Sequence, residues 1–481
     1  MNHLVCSAPL LTLITMQLRS GIQLGMCEYL EADCETQNGT INISFADALR
    51  TYSRLRIAGL ENQTLTVTTT DFTPAGATEV ATAAYTLTTD NNGNAFLYGV
   101  FAEGATVSVK QGDITLKDYT FSAEKNPNGT EYNKSYALDA RSVIDLSQYS
   151  EGETVEIIGN GRIIGDGNEY NLTLNVADDA TIVFEVGTSG VKLDGEITVA
   201  DGKTLTLRIE GDAEHTVNGG ISLGNSSNVI IEGDLTKENN KLTVTATDGN
   251  AGIGANNGVT AGDITIRNAR VDATGSSKET TELDPEASIS SAAIGTSDGS
   301  MGNILIENSI IVAEGGYYET SSHAAAIGIG YVGSTMGNIT LKDSQITATN
   351  NGDGLASVIG AGWNHYVFDV VGTLGDIVIT NTDLNLSMVI GIENLYGAFI
   401  GPGFINSNAY INMGKIIFTD MTQAELDEMI ATWKDPNDFY EWAVYALGKE
   451  YKDSAFGGVW VSDGADGLVR IDDGNGYYNP E

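Results

Sequence analysis

The sequence predicts an all-β protein: an N-terminal β-sandwich, then a long parallel β-helix, then a small C-terminal helical cap. Three observations predict it. A short phrase returns five times: GDITIRN (262–268), GNILIEN (302–308), GNITLKD (337–343), GDIVITN (375–381) and GKIIFTD (414–420). A second phrase alternates with it: AGIG (251–254), AAIG (292–295), AAIG (325–328), SVIG (357–360) and AFIG (398–401). The composition, with 57 Gly and 7 Pro, suits strands separated by tight turns and argues against long helices or disorder.

The spacing of the first phrase decides the architecture. Ile264, Ile304, Ile339, Ile377 and Ile416 recur at gaps of 40, 35, 38 and 39 residues, the period of a solenoid. Two residues on come Ile266, Ile306, Leu341, Ile379 and Phe418, which is strand spacing with one buried face. The next column holds Asn268, Asn308, Asp343, Asn381 and Asp420. Short polar residues there tolerate a left-handed turn and can stack along the coil axis. The chain then re-enters strand, with Val271, Ile311, Ile346 and Leu384 in one column and Ala273, Ala313, Ala348 and Leu386 in another. The AIG strand forms the third side, where Gly permits close approach of backbones. Three short strands per coil, about 4.8 Å apart between coils, make a parallel β-helix. A propeller would need four antiparallel strands per blade, with hairpin turns that are not visible.

The alternation of AGIG-type and GNITI-type phrases over 249–420 resembles the Gly-rich right-handed parallel β-helix repeats of surface proteins from gut bacteria. Those are adhesins or carbohydrate-contacting proteins, so the resemblance implies a surface role and a right-handed coil, not an active site.

The charge balance is 24 basic against 64 acidic residues, a net of −40. Such a chain repels nucleic acid and anionic lipid, which removes both as expected partners. It suits an acidic, solvated extracellular coat and would attract divalent cations. Cys6, Cys27 and Cys34 are the only cysteines. The body of the chain therefore has no disulfide or thiolate metal site, and its stability must come from stacked rungs.

Residues 1–37 read as a leader. LVCSAPLLTLITMQL (4–18) is apolar and of signal-peptide length, and no Lys or Arg precedes it. Leu24-Gly25-Met26-Cys27 resembles the end of a lipoprotein signal, which would make Cys27 a lipid anchor, with Cys34 as the runner-up. A mis-assigned start codon is the alternative. Residues 38–149 alternate as strands at 64–72, 83–101 and 105–121, with turn signals at Asp90–Gly93 and Gln111–Asp113, a meander or Greek-key sandwich. Lys134–Leu138 followed by Val143-Ile144-Asp145-Leu146-Ser147 resembles the junction in fimbrillin-like (Mfa-type) surface proteins of the Bacteroidales. That resemblance implies a lipoprotein sandwich ahead of a further β-domain, and adhesion or pilus association.

Residues 150–420 read as one solenoid with irregular first rungs, and Val229 and Ile231 fall in register over Ile264 and Ile266. Residues 421–481 change period. Thr422 to Glu425 is a capping box, and Leu426, Met429, Ile430 and Trp433 follow at helical spacing. Asp435-Pro436 ends that helix, and a second is expected from Asn437 or Asp438 through Phe439, Trp442 and Leu447 to Gly448. A hairpin (459–461 with 468–471) closes the chain. This module is expected to lid the last rung, with Trp433 and Trp442 as its core.

Function on such a scaffold belongs to the loops, because the strands are committed to stacking. One loop series (275–291, 314–323, 350–356, 387–397) carries Tyr317, Tyr318 and His323. The other (255–262, 296–302, 329–337, 361–375, 402–414) carries Tyr331, Trp363, His365, Tyr366 and Phe368. Consecutive loops lie side by side, which makes Tyr331 and Trp363 candidate neighbours. Aromatic faces flanked by Asp and Asn suit a sugar ring, whose CH groups pack on them while its hydroxyls bond to carboxylates and amides. The plainer alternative is that these rings pack their own loops. Asp298 and Asp353 are the leftover carboxylates, candidate calcium or sugar ligands; no other cofactor is called for.

A hydrolase would need two carboxylates across a glycosidic bond, and a lyase a base with a charge-neutralising cation. Basic residues are sparse in the repeat, and Asp263 and Asp376 replace Asn at a repeat position. No polar cluster interrupts the columns. The expected function is therefore a non-catalytic, exported cell-surface adhesin contacting a glycan or another surface ligand, with membrane attachment only through an N-terminal lipid. A β-helix polysaccharide lyase or glycoside hydrolase is the competing class, and a structural stalk the third.

Overall fold

The structure is a computed structural model. It describes residues 3–6, 25–26, 29–37, 40–44, 52–58, 64–90, 94–111, 114–121, 135–139, 144–158, 161–278, 289–318, 322–331, 333–351, 356–364, 370–388, 398–402, 409–433, 445–447, 455–462 and 467–472. The chain divides into two compact units, Met1–Arg162 and Ile163–Glu481, each dominated by strands.

The second unit is a parallel β-helix. One sheet stacks the GNI strands, from Ala180–Val186, Thr204–Ile209 and Asn228–Glu232 through Ile264–Arg267, Ile304–Glu307, Ile339–Lys342, Ile377–Thr380 and Ile416–Thr419 to Val459–Ser462. Every one of these pairings is parallel, and Ile264, Ile304, Ile339, Ile377 and Ile416 are successive partners. Val229 and Ile231 pair with Ile264 and Ile266, the register read from the sequence. A second sheet carries Val271, Ile311, Ile346 and Leu384 in line, and the third joins the AIG strands from Ile253–Ala255 to Ala398–Gly401. The aliphatic columns are fully buried. Each such side chain removed from water contributes about 1.5–3 kcal/mol, so the stack of columns is the main favourable term.

Four polar or glycine columns fix the register. Asn268, Asn308, Asp343, Asn381 and Asp420 all have φ between 42° and 58°. Their side chains bond rung to rung, Asn308 Nδ2 donating to Asn268 Oδ1 (2.7 Å) and Asn381 Nδ2 to Asp343 Oδ1 (2.8 Å). A second Asn/Asp column accepts from the backbone of the following coil: Asn228 Oδ1 from Asp263 N, Asp263 from Asn303 N, Asn303 from Asn338 N, Asn338 from Asp376 N and Asp376 from Lys415 N, at 2.6–2.9 Å. Only an acceptor is needed there, which is why Asp263 and Asp376 replace Asn freely. A buried hydroxyl column follows, with Ser309 Oγ accepting from Ala269 N and Ser344 Oγ from Ser309 N. In the AIG sheet Gly254, Gly295, Gly328, Gly360 and Gly401 have φ of 135–157°, a region that L side chains rarely enter.

The outer face of the GNI sheet carries a charge ladder. Arg208, Glu232, Arg267, Glu307 and Lys342 are successive partners of alternating sign. Glu232 bridges Arg208 (3.2 Å) and Arg267, and Lys342 meets Glu307 at 2.6 Å. These pairs are partly exposed and each contributes only about 0–1 kcal/mol, but a slip by one coil would oppose like charges.

Three short strands per coil is an incomplete description. Thr335–Met336, Val370–Leu374 and Ala409–Met413 form a parallel ladder between the AIG and GNI strands, extended by bridges at Thr260–Ser300 and Met301–Met336. Much of the second loop series is thus itself stacked.

At the C-terminal end, helix α1 (Gln423–Ile430) starts at a capping box formed by Thr422 and Glu425. It takes the place of a strand beyond Asp383–Met388, the last of the second sheet. Trp433 is buried there, donating Nε1–H to the Leu384 carbonyl (2.9 Å) and packing on Phe399. The expected second helix is corrected at its end: Tyr445–Leu447 is a strand paired parallel with Ala398–Gly401, because a further AIG-type rung outweighs local helix propensity. Trp442 lies outside the described residues. The closing hairpin is present, Val459–Ser462 pairing antiparallel with Val469–Arg470.

In the first unit, Thr64–Pro74 lies between Ala81–Thr88 and Thr106–Gln111, antiparallel to both. Past a bulge near Asp71, its last residues instead pair with Asn94–Phe101. Ser53–Ala58 runs antiparallel to Asn94–Phe101 and parallel to Ser135–Asp139. The strands are not a simple meander, since 64–74 has 81–88 on one side and 106–111 on the other. Leu55, Leu65, Phe72, Leu97, Phe101 and Phe121 are among the residues of one core, with Phe101 stacked between Phe72 and Phe121. Leu146–Gln148 form a short 3-10 turn N-capped by Asp145.

Candidate functional site

The loops on the AIG side converge. The strands in register place Ile294, Ile327 and Ile359 in one line. Asp298, Tyr331 and Trp363 each follow four residues later, so they occupy equivalent places on consecutive coils. The chain leaves each AIG strand sharply, since the glycine there has a positive φ and the preceding segment folds back onto it (Ala292 N to Thr296 O, Ala325 N to Ile329 O, Ser357 N to Ala361 O).

A second element joins this line. Tyr317–Tyr318 and Ser322–His323 form a hairpin with Tyr317 opposite His323, and Ser322–His323 pairs antiparallel with Trp363–Asn364, His323 opposite Trp363. One three-stranded sheet therefore gathers residues from both loop series and from two coils. Tyr331 and Trp363, expected from the sequence to be candidate neighbours, stand two residues beyond the paired Ile329 and Ala361, and the strand that pairs with Trp363–Asn364 is the one carrying His323, because the longer 314–323 loop has enough chain to fold into a hairpin.

Tyr317 is exposed at 41 %. Tyr331 is half-buried; burial raises its hydroxyl pKa, and the nearby charge of Asp298 raises it further. Asp298 is also half-buried and its carboxyl pKa is raised by burial. A Tyr hydroxyl and a carboxylate can each hydrogen-bond to a polyol. Tyr318 and Trp363 are placed by their strands. His365, Tyr366 and Asp353 lie outside the described residues, as does Cys27.

Among the described residues no group of three or more His, Cys, Asp or Glu side chains could hold a metal ion, and none includes Asp298. An acidic recess lies elsewhere, a notch of about 570 Å³ between the Asn/Asp column and α1, lined by Asp343, Asp383, Asp420, Glu425 and Glu428 among others. No helix of the described residues is long and apolar enough to cross a membrane.

Sequence reasoning missed the partnership of Ser322, His323 and Asn364 with the aromatic edge. The alternation of residues 314–323 is too short to announce a hairpin, and its partner strand lies 40 residues away. Comparison with protein-family models, with curated proteins and with solved structures gives no match to this chain.

Proposed function

We propose that the protein is an exported, non-catalytic glycan-contacting adhesin that uses the loop edge of its β-helix as the contact surface. The supporting observation is the three-stranded sheet that puts the Tyr317–Tyr318 hairpin beside Trp363, with Asp298 and Tyr331 in line on neighbouring coils. Sugar rings pack their CH groups on aromatic faces, and their hydroxyls need mixed donors and acceptors. In this reading the coil is right-handed, as parallel crossovers almost always are, and the first unit is a β-sandwich whose strand 64–74 passes from one layer to the other. Lipid at Cys27 would hold the chain at the outer surface, and mass spectrometry of the mature N-terminus tests that part.

The test of function is a glycan array probed with the wild type, Trp363→Ala and Tyr317→Ala. Loss of a wild-type signal in both variants, by about tenfold or more as expected for one stacked ring, supports the edge. Unchanged profiles would remove it. Release of reducing ends or unsaturated products from polysaccharides would replace the binding function with an enzymatic one.

A further inference from the structure

The first unit contains a basic cluster that the proposed function does not use. Arg54 and Arg56 stand two apart on Ser53–Ala58, so both leave the same face of the sheet. Arg56 is 1 % exposed and Asn94 is 2 % exposed. Arg54 Nη2 meets both oxygens of Glu153 at 3.1–3.2 Å. Arg56 Nε donates to Asn94 Oδ1 (2.7 Å) and its Nη1 to the Asp145 carbonyl (3.2 Å). Both guanidiniums lie over the Tyr149 ring, at 5.2 and 5.7 Å from its centroid.

The donors are not all used. Arg56 Nη2, Asn94 Nδ2 and Arg54 Nε are buried and have no hydrogen-bond partner. Nη2 shares the outer edge of the guanidinium with Nε, and Nε is bonded to the Asn94 amide, so the two free donor groups of Arg56 and Asn94 flank one place. The charge is also unbalanced. Among the described residues Glu153 is the one carboxylate hydrogen-bonded to either guanidinium, while the Asp145 carboxylate bonds Ser147 and Gln148 and the Asp90 carboxylate accepts from the Asn94 backbone N–H. A buried cation without a counter-charge is costly, and a lone water would satisfy donors while leaving the charge.

We propose that this cluster binds a small monovalent anion of chloride size, held by Arg56 Nη2 and Asn94 Nδ2. The anion completes both the hydrogen bonding and the charge of the Arg54–Arg56 pair and so stabilises the first unit. Both donors are buried, so a large hydrated anion cannot reach them without opening the fold.

The test uses the full chain at constant ionic strength, exchanging sodium chloride for sodium gluconate, whose anion is too large to enter. Once chloride exceeds its Kd it should raise the Tm of the first unit with the logarithm of its concentration, by about 3–6 °C for each tenfold increase. Asn94→Asp, which supplies a fixed negative charge to Arg56, should fold and lose the chloride dependence. Crystals grown with bromide should show an anomalous peak within hydrogen-bond distance of Arg56 Nη2 and Asn94 Nδ2, a readout that does not depend on any variant folding. A Tm indifferent to chloride, a site occupied by water alone, or bromide only elsewhere would each overturn the proposal.

Discussion

The carbonyl oxygen of Gly360 lies where a Cβ on Gly328 would have to stand, and the same holds from Gly254 to Gly295, Gly295 to Gly328, and Gly360 to Gly401. The distance is well under the 3.0 Å that real Cβ contacts respect, and the obstacle is backbone that cannot turn aside. With φ near 136° at Gly328, a side chain is excluded twice over. Gly328→Ala should therefore cost about 3 kcal/mol or more, the sum of a backbone clash and a strained φ. Gly258→Ala is the control. It has φ of 74° but nothing within 4 Å, so only about 1 kcal/mol should be lost. Denaturant midpoints of the two variants check the difference.

The Asn/Asp acceptor column makes a second expectation. Asp376 Oδ1 accepts from Lys415 N at 2.7 Å, a role that an amide oxygen also fills. Asp376→Asn should change stability by less than about 0.5 kcal/mol, whereas Asp376→Leu should cost about 1–2 kcal/mol by stranding the Lys415 N–H. Equal effects in urea unfolding would show that the column is decoration.

These columns explain how much of the fold was legible. The spacing of Ile264, Ile304, Ile339, Ile377 and Ile416 was readable because a stacked coil repeats the same environment, so the same residue type answers each time. Residues 445–447 misled because Leu447 fits a helical period with Phe439 and Trp442 in the sequence, while the pairing of 445–447 with 398–401 is a long-range demand that no local pattern carries. The aromatic edge was half legible. Tyr317 and Trp363 stood out as large rings in loops, but their place in one sheet, on either side of the His323 strand, depends on a hairpin whose partner is a coil away. Arg54 and Arg56 drew no notice, since two basic residues on an otherwise ordinary strand have no local signature of burial.

His215 carries a pH dependence. It is fully buried beside Phe184, its Nδ1 accepts from Val191 N at 3.0 Å, and burial lowers its pKa from 6.5 to about 4. Below about pH 6.5 the unfolded chain takes up a proton that the folded chain refuses. Its contribution is therefore fully present above that pH and is lost progressively toward pH 4, by about 3 kcal/mol in all. His215→Gln should flatten the wild-type decline between pH 6.5 and 4.5, whatever its effect at pH 8. Parallel pH–stability curves for the two proteins would rule this out.

Trp433 ties the cap to the last strand of the second sheet through the Leu384 carbonyl. Trp433→Phe keeps much of the packing on Phe399 and loses the hydrogen bond, so about 1–2 kcal/mol should go. Trp433→Ala should cost about 3–5 kcal/mol and uncover a strand edge, with self-association as the visible consequence. Sedimentation of both variants beside the wild type separates the two effects. A monomeric Trp433→Ala of unchanged stability would remove the cap from the account.

The loop edge depends on one coil of the chain per repeat, stacked in parallel and in register. Thr206, Ile230, Thr265, Leu305, Thr340, Val378 and Ile417 are successive partners along the outer face of the GNI sheet. Six steps of about 4.8 Å place the first and last backbones about 29 Å apart. Spin labels at Thr206→Cys and Ile417→Cys, in a chain whose three native cysteines are serine, measure that separation by pulsed electron resonance. A narrow distribution at about 25–35 Å is the predicted result, and a broad one, or a peak beyond about 45 Å, would contradict the stacked coil.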